Sequence, residues 1–232
     1  MENYSINPSN DVISTLIPRG FLSKNLTTIY GNAASGKTTS CLLAAISCVK
    51  NNGKVIFIDT EAGFDTNRFK QLIGEDIDNV LEKIFLNQPK TFEEQHQIIL
   101  KLHKLCENAQ IKLVIVDTIG KHYRVELSKN PKKTNQMMLE QLKTLVRIAR
   151  DLNKVVILTN QVYTKIDEKN KLKMVGGTLI PHMSKCIIEL NKKDDNRCAS
   201  VVKYKMLHNK TTYFNLGKKV NFEIKENGLI LV

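Results

Sequence analysis

Continuous apolar runs alternate along the first two thirds of the chain with segments of helical period. LTTIYG (26–31), KVIFID (54–59), KLVIVD (112–117) and KVVILTN (154–160) are short, rich in Val and Ile, and bounded by Gly, Asn or Asp. Runs that are apolar at nearly every position predict strands buried on both faces, as in a parallel sheet. Between them, Thr38 to Val49 is mostly small and apolar, which predicts a helix packed on that sheet. Thr91 and Glu94 form a capping-box pair ahead of a helix running to about Cys106. In 134–152, Met138, Leu142, Leu145, Ala149 and Leu152 recur at spacings of four and three, one helical face. After Gly177 the alternation stops. Segments 185–191, 199–205, 211–216 and 220–224 are short strand candidates with no helix between them, which predicts an antiparallel extension of the sheet. Residues 1–22 read as a short lead-in. The expected architecture is α/β, with a mostly parallel central sheet flanked by helices, forming one domain over 1–232.

Composition narrows the class. With 42% hydrophobic and 25% charged residues the chain is an ordinary globular protein. The longest mostly apolar run, Cys41 to Val49, has nine residues, too few to span a bilayer. The amino terminus MENYSINPSN lacks the basic-then-apolar pattern of a secretory signal. Five cysteines, with no CxxC pair, point to a reducing, cytoplasmic setting. The net charge of +12 is lopsided: residues 1–116 hold 12 basic and 12 acidic residues, and 117–232 hold 23 and 11. That asymmetry suggests a polyanion as partner. Solubility alone, in a chain with 29 Lys and 6 Arg, is the plainer explanation.

The chemistry is most explicit at Gly31-Asn32-Ala33-Ala34-Ser35-Gly36-Lys37-Thr38, followed by Thr39. This fits G-x-x-x-x-G-K-[ST] between a strand and a helix, the setting of a phosphate-binding loop. Its glycines let backbone N–H groups wrap a β-phosphate, and the helix N-terminus adds positive potential. Lys37 is expected to reach the β- and γ-phosphates of ATP, and the Thr38 hydroxyl to bind Mg²⁺. Asp117, at the end of LVIVD, is expected to hold Mg²⁺ with it. Glu61, two residues past the strand 54–59, is placed to polarise an attacking water, or is a solvated loop acid.

These residues lie within an ordered series: GNAASGKTT, VIFIDTEAGF, LVIVDTIGKHYRVEL, VVILTNQVY and MVGGTLIPHMSK. The series resembles the RecA/Rad51/RadA recombinases over roughly residues 12–232, and DTIGKHYRVE is similar above all to the RadB branch, short archaeal paralogues of RadA. The resemblance implies a P-loop NTPase of RecA type. It assigns Glu61 as the catalytic glutamate and Gln161, in Asn160-Gln161, as the sensor of the γ-phosphate. It maps two DNA-binding loops onto 122–133 and 162–178. The first carries His122, Tyr123, Arg124, Lys129, Lys132 and Lys133, with Tyr123 available to stack on a base. The second carries Lys165, Lys169, Lys171 and Lys173. Without the resemblance both loops read as solvated surface. VVKYK (201–205) resembles a RecA segment whose lysines reach the nucleotide of the next subunit, so Lys203 and Lys205 are cationic fingers in trans or solvating lysines on an edge strand. His182 matches an interface histidine of the Rad51 branch. His96 and His103 read as surface or core-edge residues.

The sequence departs from the family at several points. A helix-hairpin-helix segment, a docking phenylalanine motif, RecA's C-terminal domain and a glycine-rich second loop are not recognisable. The expectation is therefore an ATP-dependent DNA-binding paralogue with weak ATPase activity. It would assist or regulate a main recombinase, on single-stranded or branched DNA, with self-association open. Two other classes share the phosphate loop: a KaiC-like, nucleotide-gated protein-binding ATPase and a P-loop small-molecule kinase. A kinase normally needs an arginine-rich lid, and here only Arg147 and Arg150 lie close together.

Overall fold

A computed structural model describes residues 2–8, 11–74, 77–164, 172–205 and 216–232. The lead-in folds: β1 (Ser5–Ile6) pairs antiparallel with β2 (Phe21–Leu22) around α1 (Asp11–Leu16). There follow β3 (Leu26–Gly31), α2 (Lys37–Lys50), β4 (Lys54–Asp59), α3 (Thr66–Ile73), α4 (Ile77–Leu81) and β5 (Ile84–Asn87). Next come α5 (Phe92–Leu105), β6 (Ile111–Asp117), α6 (Lys121–Leu127), α7 (Pro131–Asp151), β7 (Val155–Thr164), β8 (Leu172–Met174) and α8 (Leu179–Met183). The chain closes with β9 (Cys186–Lys193), β10 (Asn196–Tyr204), β11 (Lys219–Lys225) and β12 (Gly228–Leu231).

The main sheet runs β12-β11-β10-β9-β3-β7-β6-β4-β5, with β8 paired to the end of β7. Strands β9, β3, β7, β6, β4 and β5 are mutually parallel, and β9 to β12 are antiparallel. The fully apolar runs form β3, β4, β6 and β7 at the centre, where helices cover both faces. One face packs Phe21, Ile29, Leu42, Phe57, Phe69 and Phe222 under the helices α1 to α4. The other packs Ile58, Leu102, Val116, Met138, Leu142 and Ile148 under α5 and α7. Met138, Leu142, Leu145 and Ala149 recur on the buried stripe of α7 as the periodicity requires.

Helix ends follow local chemistry. The Thr91 hydroxyl accepts from the Glu94 amide at 3.1 Å, while the Glu94 carboxylate reaches back to the Lys90 amide at 2.8 Å. A cap of this kind is worth about 1 kcal/mol. Asn130 caps α7, and Pro131 fills its first position, where an amide is not needed.

Two expectations change. Segment 122–133 is not an open loop: most of it is α6 and the start of α7. Strand β12 extends the sheet beyond the four candidates, while most of the candidate 211–216 lies outside the described residues. Among the described residues, no helix is long and apolar enough to cross a membrane.

Candidate nucleotide site

The parallel strands end side by side, and their carboxyl ends carry the polar residues. Gly31 is in register with Gln161, and Asp59 with Asp117. The crevice beyond such strand ends is where ligands bind in open α/β sheets. A cavity of about 470 Å³ lies there, lined by the phosphate loop from Ala33 to Thr39 together with Glu61, Gln161, Arg197 and Ile224.

The loop is seated on the antiparallel extension. At Gly31 an added Cβ would lie 1.8 Å from the Leu190 carbonyl oxygen, so only glycine permits this approach. Asn32 donates to the Lys192 carbonyl at 3.1 Å, and Arg197 Nε to the Ala34 carbonyl at 3.2 Å. Ala34 itself has φ 55, a left-handed conformation costly for a residue with a Cβ, and the Arg197 contact braces that peptide. Gly36, at φ 102, opens α2 against Phe222, Ile224 and Leu229.

Lys37 Nζ donates to the carbonyls of Gly31 at 3.0 Å and Asn32 at 2.6 Å. Burial lowers its pKa, while Asp117 and Glu61 act to raise it. The Thr38 hydroxyl donates to the Asp117 carboxylate at 2.7 Å, and the Thr159 hydroxyl donates to its other oxygen. Burial raises the Asp117 pKa, against the hydrogen bonds from Thr159 and Thr38 that favour the charged form. A desolvated carboxylate beside a hydroxyl is an oxygen donor set suited to Mg²⁺. The Ser35 hydroxyl in the same loop is buried without a partner among the described residues. An ammonium, a helix N-terminus, an unsatisfied loop hydroxyl and the Thr38–Asp117 pair together fit a nucleoside triphosphate with its metal.

Glu61 is presented by a turn built on Asp59. That buried carboxylate accepts from the amides of Glu61 at 3.1 Å, Gly63 at 3.1 Å and Phe64 at 2.9 Å, and from Gln88 Nε2 at 3.1 Å. Gln161 Nε2 donates to the Glu61 carboxylate. Burial, then Asp117, raises the Glu61 pKa; Lys37, Lys121 and the Gln161 hydrogen bond oppose the rise. From the other side, Arg124 donates to Gln161 Oε1 at 3.4 Å. Asn160 donates to the Val175 carbonyl at 2.7 Å, so the two ends of 162–174 are tied at the strand that carries Gln161.

The expected DNA-contacting residues divide. Arg124 is exposed and lines a cavity of about 760 Å³ between α6, the start of α7 and residues 175–179. Lys132 and Lys133 are exposed at the start of α7, with Lys133 3.8 Å from Glu93. Lys129 pairs with Glu126 at 3.0 Å. Tyr123 requires a correction: it is only 4% exposed, its ring meets Phe92 edge-on, and its hydroxyl donates to Asn135 at 2.7 Å. The ring is held on one side by Phe92 and reaches only the cavity that Arg124 also lines, not an open loop surface. Lys165, Lys169 and Lys171 lie outside the described residues, and Lys173 falls in β8.

Lys203 Nζ donates to the Pro181 carbonyl at 2.6 Å, and Lys205 is exposed. Lys203 lies at the end of β10 and Lys205 just past it, where Tyr204 pairs with Cys186, which pairs with Thr27 near the start of β3. That end is remote from this chain's own phosphate loop, so neither lysine is a cis contact. His182 is exposed on α8. His96 is buried and lies 3.5 Å from Glu140. Sequence reasoning missed Asp59, Thr159, Lys121 and Arg197. Asp59 alone carried a signal, ending an apolar strand as Asp117 does.

The Rad51 family model matches residues 4–223. The DNA repair and recombination protein RadB of Methanobrevibacter smithii is 32% identical over 235 residues, covering 99% of this chain and 97% of its own. The RadB of Methanococcoides burtonii is 40% identical over 182 residues, covering 78% and 80%. A crystal structure of the RadB recombinase superposes with a TM-score of 0.80 at 30% identity, covering 98% of this chain and 99% of that one.

Proposed function

This chain belongs to the Rad51 family, and on that footing we propose that it is a RadB-like, ATP-dependent DNA-binding protein of homologous recombination and DNA repair. It hydrolyses ATP weakly and assists or regulates a main recombinase. The observation that carries the reading is the Glu61–Gln161 hydrogen bond at the mouth of the phosphate loop. It joins the candidate base to the strand that runs on into the basic segment 162–174.

Lys37 and the α2 N-terminus would hold the phosphates of ATP, and Thr38 and Asp117 would hold Mg²⁺. When bound, Mg²⁺ supplies neutralising charge for the phosphate oxygens. Glu61, in its ionised form, takes a proton from the attacking water at a carboxylate oxygen. Gln161 fixes that carboxylate through its amide nitrogen and meets Arg124 through its amide oxygen. A change at either end of this chain alters the other by linkage. Arg124, Lys132 and Lys133 supply positive charge on the same side, with Lys165, Lys169, Lys171 and Lys173 as further candidates. Lys203 and Lys205 would reach nucleotide only in a neighbouring subunit.

Phosphate release from ATP, measured with and without single-stranded DNA, tests the reading. A slow Mg²⁺-dependent rate that responds to DNA is expected. Transfer of the γ-phosphate to a small metabolite, with no response to DNA, would overturn it.

A further inference from the structure

The turn that carries Glu61 is gripped from two sides. Asp59 holds its amides, as described above. Thr60 is held by the segment that follows β6. Its amide donates to the Asp117 carbonyl at 2.8 Å, and its hydroxyl donates to the Thr118 carbonyl at 2.8 Å and accepts from the Thr118 amide at 3.0 Å. The carbonyl of Thr60, whose carbon is bonded to the Glu61 nitrogen, accepts from Lys121 Nζ at 2.7 Å.

Lys121 is an odd residue for its position. It opens α6, where the helix macrodipole disfavours a cation. Its side chain is largely exposed yet returns to a carbonyl on a neighbouring strand end. One turn further along α6, Arg124 meets Gln161. Lys121, Arg124, Val125 and Gln161 line a second cavity of about 300 Å³, which shares Gln161 with the nucleotide cavity. The same helix therefore touches Gln161 directly through Arg124 and, through Lys121, the Thr60 carbonyl of the peptide that delivers Glu61.

We propose that Lys121 is a positioning residue for ATP turnover: its hydrogen bond to the Thr60 carbonyl fixes the peptide that aims Glu61 at Gln161. This deepens the ATPase reading above and rests on it. Small misplacements of a catalytic group are costly, so the effect belongs in turnover rather than in nucleotide affinity. The charge of Lys121 also favours the ionised form of Glu61, alongside Lys37 from α2 and the Gln161 hydrogen bond from β7, and against Asp117 from β6.

The test compares the full chain with its Lys121→Ala and Lys121→Arg variants. Steady-state phosphate release gives kcat and KM, and a fluorescent ATP analogue gives affinity directly. Alanine at an exposed first-turn position keeps the helix, since it improves both propensity and dipole. Lys121→Ala is expected to lower kcat on the order of tenfold to a hundredfold, with KM and analogue affinity within about twofold of the parent. Lys121→Arg is expected to restore most of the loss. Unchanged kcat in Lys121→Ala overturns the proposal. So does a weaker analogue affinity, which would make Lys121 a direct phosphate contact, and so does an arginine variant as slow as the alanine one. A parent that binds the analogue without hydrolysing it overturns the proposal and the ATPase reading but leaves the nucleotide site. A parent that binds no analogue overturns the nucleotide reading itself.

Discussion

Gln161 donates its side-chain amide to the carboxylate of Glu61, a residue one hundred positions earlier in the chain. Glu61 sits just past the end of β4 and Gln161 in β7 where its pairing with β3 ends, beside the phosphate loop, and α6 reaches Gln161 and the Thr60 carbonyl. Nucleotide chemistry and the basic surface thus share a few hydrogen bonds rather than a distant relay.

Glu61→Gln keeps the size of the side chain and removes its basicity. ATP affinity is expected to stay within about twofold, while turnover falls on the order of a hundredfold or more, the scale of a lost general base. Phosphate release measured beside analogue binding checks this. Parent-like turnover in the variant contradicts the assignment.

The pH profile follows from the raised Glu61 pKa. Burial and Asp117 favour its protonated form, so the active carboxylate forms at a higher pH than it would on an ordinary exposed glutamate. Hydrolysis is expected to fall on acidification correspondingly early. Gln161→Ala removes a hydrogen bond that favours the charged form, and the acidic limb should move further up. A limb that moves down, or stays in place, contradicts this account of the pair.

Lys37→Ala removes the ammonium from the loop mouth. Loss of charge-assisted hydrogen bonds worth about 1.5–3 kcal/mol should weaken ATP binding at least about tenfold. Calorimetry or analogue fluorescence reads the affinity directly, and an unchanged value refutes the phosphate-loop assignment.

Tyr123 separates core from surface. Tyr123→Phe keeps the ring and loses the hydrogen bond to Asn135, a cost of about 1 kcal/mol, with DNA affinity unchanged within about twofold. Tyr123→Ala empties a core position and should destabilise the fold by about 3–5 kcal/mol, visible in a thermal melt. A folded alanine variant with parent stability and lost DNA binding would restore the stacking role.

Much of the fold could be read from the chain because the physics was local. The fully apolar runs became the central parallel strands, and Thr91 capped α5 through its own hydroxyl. The amino-terminal unit was not legible, since strands of two residues carry no period. Helix α6 was hidden for a tertiary reason: its seven residues mix cations with apolar positions, Val125 is 61% exposed, and Tyr123 is buried only because Phe92 of α5 lies against it. The placement of Lys203 depends on an antiparallel register that alternation alone does not fix. At the site, strand-end residues were readable one by one. The supports were not, because Arg197 and Lys121 act through backbone carbonyls that only the folded chain brings near.

The most direct test of the central claim is fluorescence anisotropy of a labelled single-stranded oligonucleotide titrated with the protein at two salt concentrations, with and without ATP·Mg²⁺. The account predicts binding that weakens steeply with salt, as phosphate contacts require, and that changes when nucleotide is added. Binding that is absent at low salt, or indifferent to nucleotide, would contradict it.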